Sequence, residues 1–546
     1  MEYRDKLTEH YSPLIQGNYD CVDRLVLNAY CPLLLNPGGL RYWYRQLYGE
    51  DDSLSTARLM RYAGRFSKRV QNFCKQQKIP LIYCKAGERK HEKAEALIPK
   101  AKNFTGIFAI LVGRSMAPLW EVKRFSNGID IRRKKELSYV NHYHFHIIDK
   151  DWGHITIKMC AHPPFSCQIM LNGHEWLAKH PQVKKRTVQK QGNCFVDYTD
   201  ADQLTRHAET LKRKGRLAKL CDRWIYKCLW FGLNYIEQQK AALRYNYSIY
   251  QVEYSRNLLF KRGRFLDQVY QGIISLTRPN LDIPLLKTMF GSKKRPYQTV
   301  KRRANRSSAI EVSVQTPDYN LTIFKIHFGK LTVKLYDKGE RTLRAEVVVH
   351  NVKELRCKRS VSNFKEIVSK LQTIMNDFMN NLFYMHHAMI EELNLNQLAK
   401  PVLKGKTRLA GINLTQKRMT DVLQTVLALS LQPKGYAAKD LSQKMQQIGW
   451  DDYSPRMAAY DIKKLRAKGF VTKASARKYK NTPMGVQNIT ALLALTQQQI
   501  PHTLAIIKNS KSLDAKELSQ LEQHHFNINK EIVALNAIYG IQSKAA

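Results

Sequence analysis

Between Tyr139 and Trp176 the chain reads YVNHYHFHIIDKDWGHITIKMCAHPPFSCQIMLNGHEW, and this stretch constrains the fold more than any other. Polar and apolar side chains alternate through Tyr143-His144-Phe145-His146-Ile147-Ile148, the two-residue period of a half-buried strand. Successive side chains on a strand point to opposite faces, so His142, His144 and His146 share one face. Asp149 to Gly153 reads as a tight turn, and His154 to Met159 as the strand that returns. Imidazoles and two carboxylates thus gather at one end of a sheet. A reaction centre, if the chain has one, is expected there first.

The charge balance narrows the partner. Ninety Lys and Arg against 45 Asp and Glu leave a formal net charge of +45. Self-repulsion on that scale disfavours a compact isolated molecule unless a polyanion neutralises it. The basic residues recur along the whole length, so the expected anion is long, and nucleic acid fits best, DNA ahead of RNA. A membrane is not expected. No apolar run reaches 18 residues, Phe108-Ala109-Ile110-Leu111-Val112 being far too short to span one, and the first residues carry no apolar leader. Ten cysteines stand without a C-x-x-C pair, which favours reduced thiols and a cytoplasmic setting.

At 546 residues the chain exceeds one usual core, and several domains of mixed α+β architecture are expected. Residues 1–78 read as a helical basic region broken at Asn36-Pro37-Gly38-Gly39, with aromatics and arginines interleaved at Arg41 to Tyr48 and four basic residues from Arg61 to Arg69. Residues 79–198 read as an α/β domain: strands at Ile79 to Tyr83 and Gly106 to Val112, a charged helix at Gly87 to Ala96, then the histidine hairpin. Glu88, His91, Glu92 and Glu95 fall on one face of that helix, a metal-binding pattern or, more plainly, a solvated one. Residues 199–290 read as mainly helical, with Arg244 to Phe260 extended at first and then helical. Residues 291–308, GSKKRPYQTVKRRANRSS, form a basic linker in which Lys293, Lys294, Arg295, Arg302 and Arg303 would meet a phosphate backbone. Residues 309–400 predict a second antiparallel sheet, turning at Gly329-Lys330, and a long amphipathic helix.

Residues 401–508 carry a further module, followed by a last helix in 509–546. Helices are expected around Met419 to Val426 and Lys439 to Ile448. A third opens at Ser454-Pro455 and stops at Gly469, where Ser caps and Pro occupies the first turn. A basic β-hairpin follows. This order and spacing resemble the winged helix-turn-helix domain of MarR-like bacterial regulators. The resemblance implies that the helix from Pro455 enters a major groove, with Arg456, Tyr460, Lys463, Lys464 and Lys468 toward DNA and Arg477, Lys478 and Lys480 on the wing.

Three chemistries fit the histidine hairpin. His144-Phe145-His146 resembles the metal-binding strand of rolling-circle nucleases. That resemblance implies a divalent ion, Mg²⁺ or Mn²⁺, with His154 and His162 as further ligand candidates and a tyrosine nucleophile, for which Tyr226 is the first candidate beside Tyr235 and Tyr384. Tyr336 to Glu346 is similar to the Y-x-K-G…L-R-x-E segment of plasmid and phage replication initiators, with Arg344 and Glu346 on one strand face. Asp149 at a strand end resembles the opening hairpin of RNase H-like nucleases, with Glu175 and Glu346 as partner carboxylates. The third reading is that the histidines are hydrogen-bonded structural groups of a non-catalytic binder. The blocks Asn172-Gly173-His174-Glu175, Phe328 to Thr332 and Lys338 to Arg344 also resemble a group of uncharacterised bacterial proteins of about this length. The expectation is a nucleic-acid-binding protein of a bacterium or mobile element, acting in DNA replication, recombination or cleavage. The alternative is a regulator or structured-RNA binder without catalysis.

Overall fold

A long central strand, β1 (Ile15–Tyr30), crosses the middle of the molecule. The computed structural model describes residues 4–267, 269, 324–388 and 397–496, apart from a few positions inside those ranges, and scattered positions from 523 to 534. The basic linker 291–308 and nearly all of the last helix expected in 509–546 lie outside the described residues.

Before β1 comes a short helix, α1 (Lys6–His10), and after it α2 (Pro37–Tyr48) and α3 (Thr56–Gln77). Next follow β2 (Leu81–Tyr83), α4 (Lys90–Glu95), β3 (Gly106–Ala117) and the hairpin β4 (Trp120–Phe125) with β5 (Gly128–Arg133). The histidine stretch folds as β6 (Ser138–Asp149), β7 (Gly153–Cys160), β8 (Cys167–Asn172) and α5 (Gly173–Lys179). Beyond them stand α6 (Pro181–Lys184), the hairpin β9 (Val188–Gln191) with β10 (Cys194–Tyr198), and the helices α7 (Ala201–Glu209), α8 (Arg216–Leu229) and α9 (Tyr235–Lys240). Then come β11 (Asn246–Phe260), β12 (Phe324–Phe328), β13 (Leu331–Asp337), β14 (Thr342–Val349) and α10 (Phe364–His386).

One ten-stranded sheet is built from these in the order β12-β13-β14-β11-β1-β8-β7-β6-β3-β2, antiparallel throughout except for the parallel pair β2 and β3. Three expectations are corrected here. The two separate sheets are one, joined through β1 and β11. Residues 1–78 are not wholly helical, because they supply β1. Likewise Arg244 to Phe260 does not turn helical: β11 stays extended to Phe260 and pairs with β1 along its length.

Helices cover one face. On α3, Leu59, Tyr62, Phe66, Val70 and Cys74 recur at helical spacing and are buried, and the Phe66 ring packs 4.8 Å from Tyr143 of β6. Ser55 caps this helix, and Lys78 ends it in the left-handed region. The basic run Arg61 to Arg69 lies on its outer side, where Arg65 pairs with Glu237 at 2.7 Å and Arg69 bonds the Trp230 carbonyl at 2.9 Å. Arg61 and Lys68 stay exposed. In α2 the interleaved aromatics Trp43 and Tyr44 are core, and Arg41 and Arg45 reach out to Asp51. At the far end α10 lays its apolar stripe, Ile367, Leu371, Met375 and Phe378 among it, beside β11 and β14.

The C-terminal part contains β15 (Val402–Lys404), β16 (Thr407–Leu409), three helices, α11 (Lys417–Ser430), α12 (Ala438–Gln447) and α13 (Pro455–Ala467), a hairpin of β17 (Val471–Ser475) with β18 (Lys478–Asn481), and α14 (Pro483–Ala494). The last helix packs on α10 and α11. Among the described residues no helix is long and apolar enough to cross a membrane. All ten cysteines are free.

Candidate functional site

The face of the sheet away from α3 and α8 carries most of the polar groups, beside a small apolar cluster of Phe108, Ala109 and Leu111, and its chemistry starts at β6. Tyr143, Phe145 and Ile147 point into the core, so His142, His144 and His146 point the other way. Paired residues in a ladder share a face. Gly113, Leu111 and Ala109 of β3 therefore flank the three rings on one side, and Cys160, Lys158 and Thr156 of β7 on the other. Gly113 leaves room for the Lys90 side chain, because a Cβ there would come within 2.6 Å of Lys90 Cε. A cleft of about 660 Å³ results, lined by Lys85, Lys90, Arg114, Tyr139, His144 and Lys158 among others.

The rings form a ladder. His142 Nδ1 stands 3.1 Å from the Val140 carbonyl, which can only accept, so the proton is on Nδ1. Ser115 Oγ is also 3.1 Å away. His146 Nδ1 lies 3.0 Å from His154 Nε2 and 3.2 Å from Thr156 Oγ1. His91 of α4 stacks on His154 with ring centres 5.6 Å apart. Burial pulls His142 down to about 4, with Lys158 adding to it, and His144 down to about 3 for the same two reasons. Burial lowers His146 to about 3, helped by His154, and His154 to about 4, helped by His91. At neutral pH all four rings are uncharged. Lys158 is itself pulled down by burial and by Lys90 beside it.

The residues expected to act with these histidines lie elsewhere. Asp149 is fully buried on the helix side of β6, where it accepts from the Asp151 and Trp152 amides at 2.8 and 3.0 Å, and from Arg223 and Trp224 Nε1 at 2.7 Å each. Burial works to raise its carboxyl, but these donors outweigh it and hold it below the usual range. Its oxygens are occupied in holding the turn to α8. Tyr226 is on α8 too, half-buried, its hydroxyl 3.3 Å from the Tyr245 amide. Both lie across the sheet from His144. Glu346 does share the polar face, through the register His146–Thr156–Met170–Val26–Gln251 and then along β11 to Ser255, its partner on β14. Five strand spacings of about 4.8 Å separate β6 from β14, roughly 24 Å. His162 stands in the turn after β7, lining a neighbouring cleft of about 580 Å³ with Arg114 and Tyr139.

These positions do not fit a Mg²⁺ or Mn²⁺ centre. Such hard ions want carboxylate and water oxygens, whereas the charges nearest His144 are Lys158 and Lys90. Among the described residues no group of three or more His, Cys, Asp or Glu is placed to hold a metal.

At the other end of the same face lies a buried network of which the sequence pattern betrays only half. Arg344 Nε bonds Glu346 at 2.8 Å, its terminal nitrogens bond Asp23 and, at 2.6 Å, the Asn193 carbonyl. Glu346 also takes Tyr336 at 2.6 Å and Lys334 at 2.9 Å. Asp23 meets His174 Nδ1 at 2.5 Å, and His174 Nε2 meets the Tyr19 hydroxyl at 3.1 Å. Burial pushes the Glu346 carboxyl up, but Arg344 and Lys334 override it and hold it well below its ordinary range. Arg344 and Glu346 share a strand face as expected. Asp23 and Tyr19 are not among the expected residues. The one signal for them is that carboxylates inside an otherwise apolar run need buried cations.

In the C-terminal part the basic candidates divide. Arg456, Tyr460 and Arg477 are exposed, and Lys463 is half-exposed. Lys464 is buried and turned inward to Asp461 at 3.3 Å, and Lys468 bonds the Lys400 carbonyl at 2.8 Å, which corrects their expected outward orientation. Lys478 pairs with Asp440 at 2.9 Å and Lys480 with Asp377 at 2.8 Å. Lys293, Lys294, Arg295, Arg302 and Arg303 lie outside the described residues. Compared with protein-family models, curated proteins and solved structures, the chain matches none.

Proposed function

We propose that the chain is a nucleic-acid-binding protein whose C-terminal module reads duplex DNA as a winged helix-turn-helix, while the histidine face of the large sheet takes nucleic acid that is not part of that duplex. The carrying observation is the order α11, a bridging residue, α12, α13 and the hairpin β17–β18. Tyr436, between α11 and α12, exchanges both backbone hydrogen bonds with Tyr479 of β18, at 2.9 and 2.8 Å, as the short third strand of such a module would. Ser454 caps α13, whose first turns expose Arg456, Met457 and Tyr460. An arginine, a thioether and a phenol there suit base edges and thymine methyls, and Lys473 and Arg477 at the exposed wing tip suit phosphates. The surplus of +45 supplies the long-range attraction.

The test is binding of a short labelled duplex by the whole protein at two salt concentrations. Affinity should fall by about 10³ or more between 50 and 200 mM salt if six or more phosphates are engaged. Arg456→Ala, which removes a guanidinium from a base edge, should weaken duplex binding by about 1–3 kcal/mol, and Arg477→Ala should weaken it alike for all sequences. Failure of the wild-type protein to bind duplex DNA at low salt would sink the reading. Cleavage is not proposed, because the surroundings of His144 and His146 do not suit Mg²⁺ or Mn²⁺. Scission in the same mixture with Mn²⁺ that disappears in His144→Ala would overturn that and make the protein a nuclease.

A further inference from the structure

We infer that the cleft between α4, β3, β6 and β7 seats one phosphate of an unpaired nucleotide, whose base stacks on Tyr139. This deepens the nucleic-acid reading above and rests on it, but not on the C-terminal module.

The argument begins with unmatched charge. Lys85, Lys90, Arg114 and Lys158 converge on one cleft. Lys85, at its edge, faces Glu88, whose carboxylate accepts from the Lys85 amide at 2.9 Å, but among the described residues no carboxylate stands within ion-pair distance of Lys90, Arg114 or Lys158. Elsewhere the fold matches its buried cations: Arg256 with Asp5 and Asp20, Arg344 with Asp23 and Glu346, Lys334 with Glu346. Lys158 is half-buried with Lys90 as its charged neighbour, an arrangement that costs free energy until an anion arrives. Neutral His144 and the Ser115 hydroxyl add donors of the kind phosphate oxygens accept.

The rim says which anion. Tyr139 is 58% exposed and borders both this cleft and the neighbouring one of about 580 Å³, and Arg114 belongs to both. That second cleft leads past Lys134 toward the β4–β5 hairpin, which exposes Lys123, Arg124 and, 56% exposed at its tip, Phe125. Cations interleaved with exposed rings suit a strand whose bases are free to stack, and each stacked base is recognised by its face, not its sequence. A duplex keeps its bases paired and cannot offer one to Tyr139.

The experiment measures binding of labelled oligo-dT, oligo-rU and a duplex to the full-length protein and to three variants. Lys90→Met/Lys158→Met should weaken the single strands about tenfold or more and lower the salt slope by about 1–2, leaving duplex binding unchanged. Because it removes an unpaired half-buried cation, its melting temperature should hold or rise, so a drop in binding is not a failure to fold. Tyr139→Ala should weaken single strands about tenfold by removing the stacking partner of one base, and Lys158→Arg should restore what the double methionine variant loses at that position. Unchanged single-strand affinity in the folded double variant overturns the inference, as does an equal loss on duplex. Wild-type protein that binds duplex but no single strand overturns it while sparing the winged-helix reading. Binding of neither at low salt overturns both.

Discussion

The two ends of the polar sheet face hold similar residue types in opposite states. Around β1, β11 and β14 the strongest buried charges have counter-charges: Asp23, Arg344, Glu346 and Lys334 form one set, beside which Glu253 is held by the Gln251 amide at 2.8 Å, and on the helix side of the same strands Asp5, Asp20 and Arg256 form another. Around β3, β6 and β7 the rings are neutral and the cations are unmatched. A closed set has nothing left to offer a ligand, and its role is to hold the sheet. An open set is destabilising in isolation and becomes favourable when something fills it. Burial alone therefore separates structure from function less well than satisfaction does.

The largest effect should come from opening the closed end. Arg344→Met takes the guanidinium from between two buried carboxylates, leaving Glu346 to Lys334 and Asp23 to the His174 ring, and should cost about 3–5 kcal/mol in urea unfolding. The matching change at the open end, Lys158→Met, should cost nothing. If the two variants proved equally harmful, the distinction between the ends would fail. Asp149→Ala should follow Arg344→Met closely, at roughly 2–4 kcal/mol, since four donors lose their acceptor together. It should do so without changing nucleic-acid affinity, measured at a temperature where the variant is folded, because Asp149 is across the sheet from the cleft.

Acid should unpick the two ends in sequence. The folded values of His142, His144, His146 and His154, about 3 to 4, lie below the ordinary imidazole value of about 6.5. Below that ordinary value the unfolded chain binds more protons than the folded one. Stability is thus lost as pH falls from about 6.5 toward 4. Glu346 is a carboxylate held below its ordinary value, so its contribution is present above about 4.5 and lost only as pH falls further, through its folded pKa. Melting temperature followed from pH 7 to 3 should decline first on account of the rings and then more steeply. His154→Asn should flatten the first decline and leave the second. A melting temperature flat between pH 7 and 5 would contradict the buried neutral ladder.

How much of this is visible in the sequence follows the same division. The β6–β7 hairpin, the stripe of α10 and the capped start of α13 are legible, because periodicity and capping are local and record which side of an element is apolar. Strand β1 is not. Asp20 and Asp23 interrupt its apolar pattern, and they are tolerated only because Arg256 and Arg344 arrive from 236 and 321 residues away. With β1 hidden, the fusion of two expected sheets into one is hidden too. On α13, Lys464 and Arg456 look alike as letters, yet one meets Asp461 inside and the other meets solvent. Asp149 looks catalytic for a related reason: a carboxylate at a strand end gives no hint of Trp224 and Arg223, which arrive from a helix more than seventy residues on.

The smallest expected effect is also the one that bears most directly on the wing. Lys480 of β18 pairs with Asp377 of α10 at 2.8 Å, with both side chains about two-fifths exposed. Such a pair is worth about 0–1 kcal/mol, since water screens it and two long side chains lose freedom in forming it. Lys480→Ala should therefore leave urea stability nearly unchanged, in contrast to Arg344→Met. If the wing lies on a phosphate backbone, the same lysine is free to exchange Asp377 for a phosphate at little cost. Its removal should then lower the salt slope of duplex binding by about 1 and weaken binding alike for all sequences. A stability loss as large as that of Arg344→Met would mean that the pair is a buried strut and that this part of the wing is committed to α10. An unchanged salt slope would mean that DNA, if it binds here, is held from Arg456 and Arg477 alone.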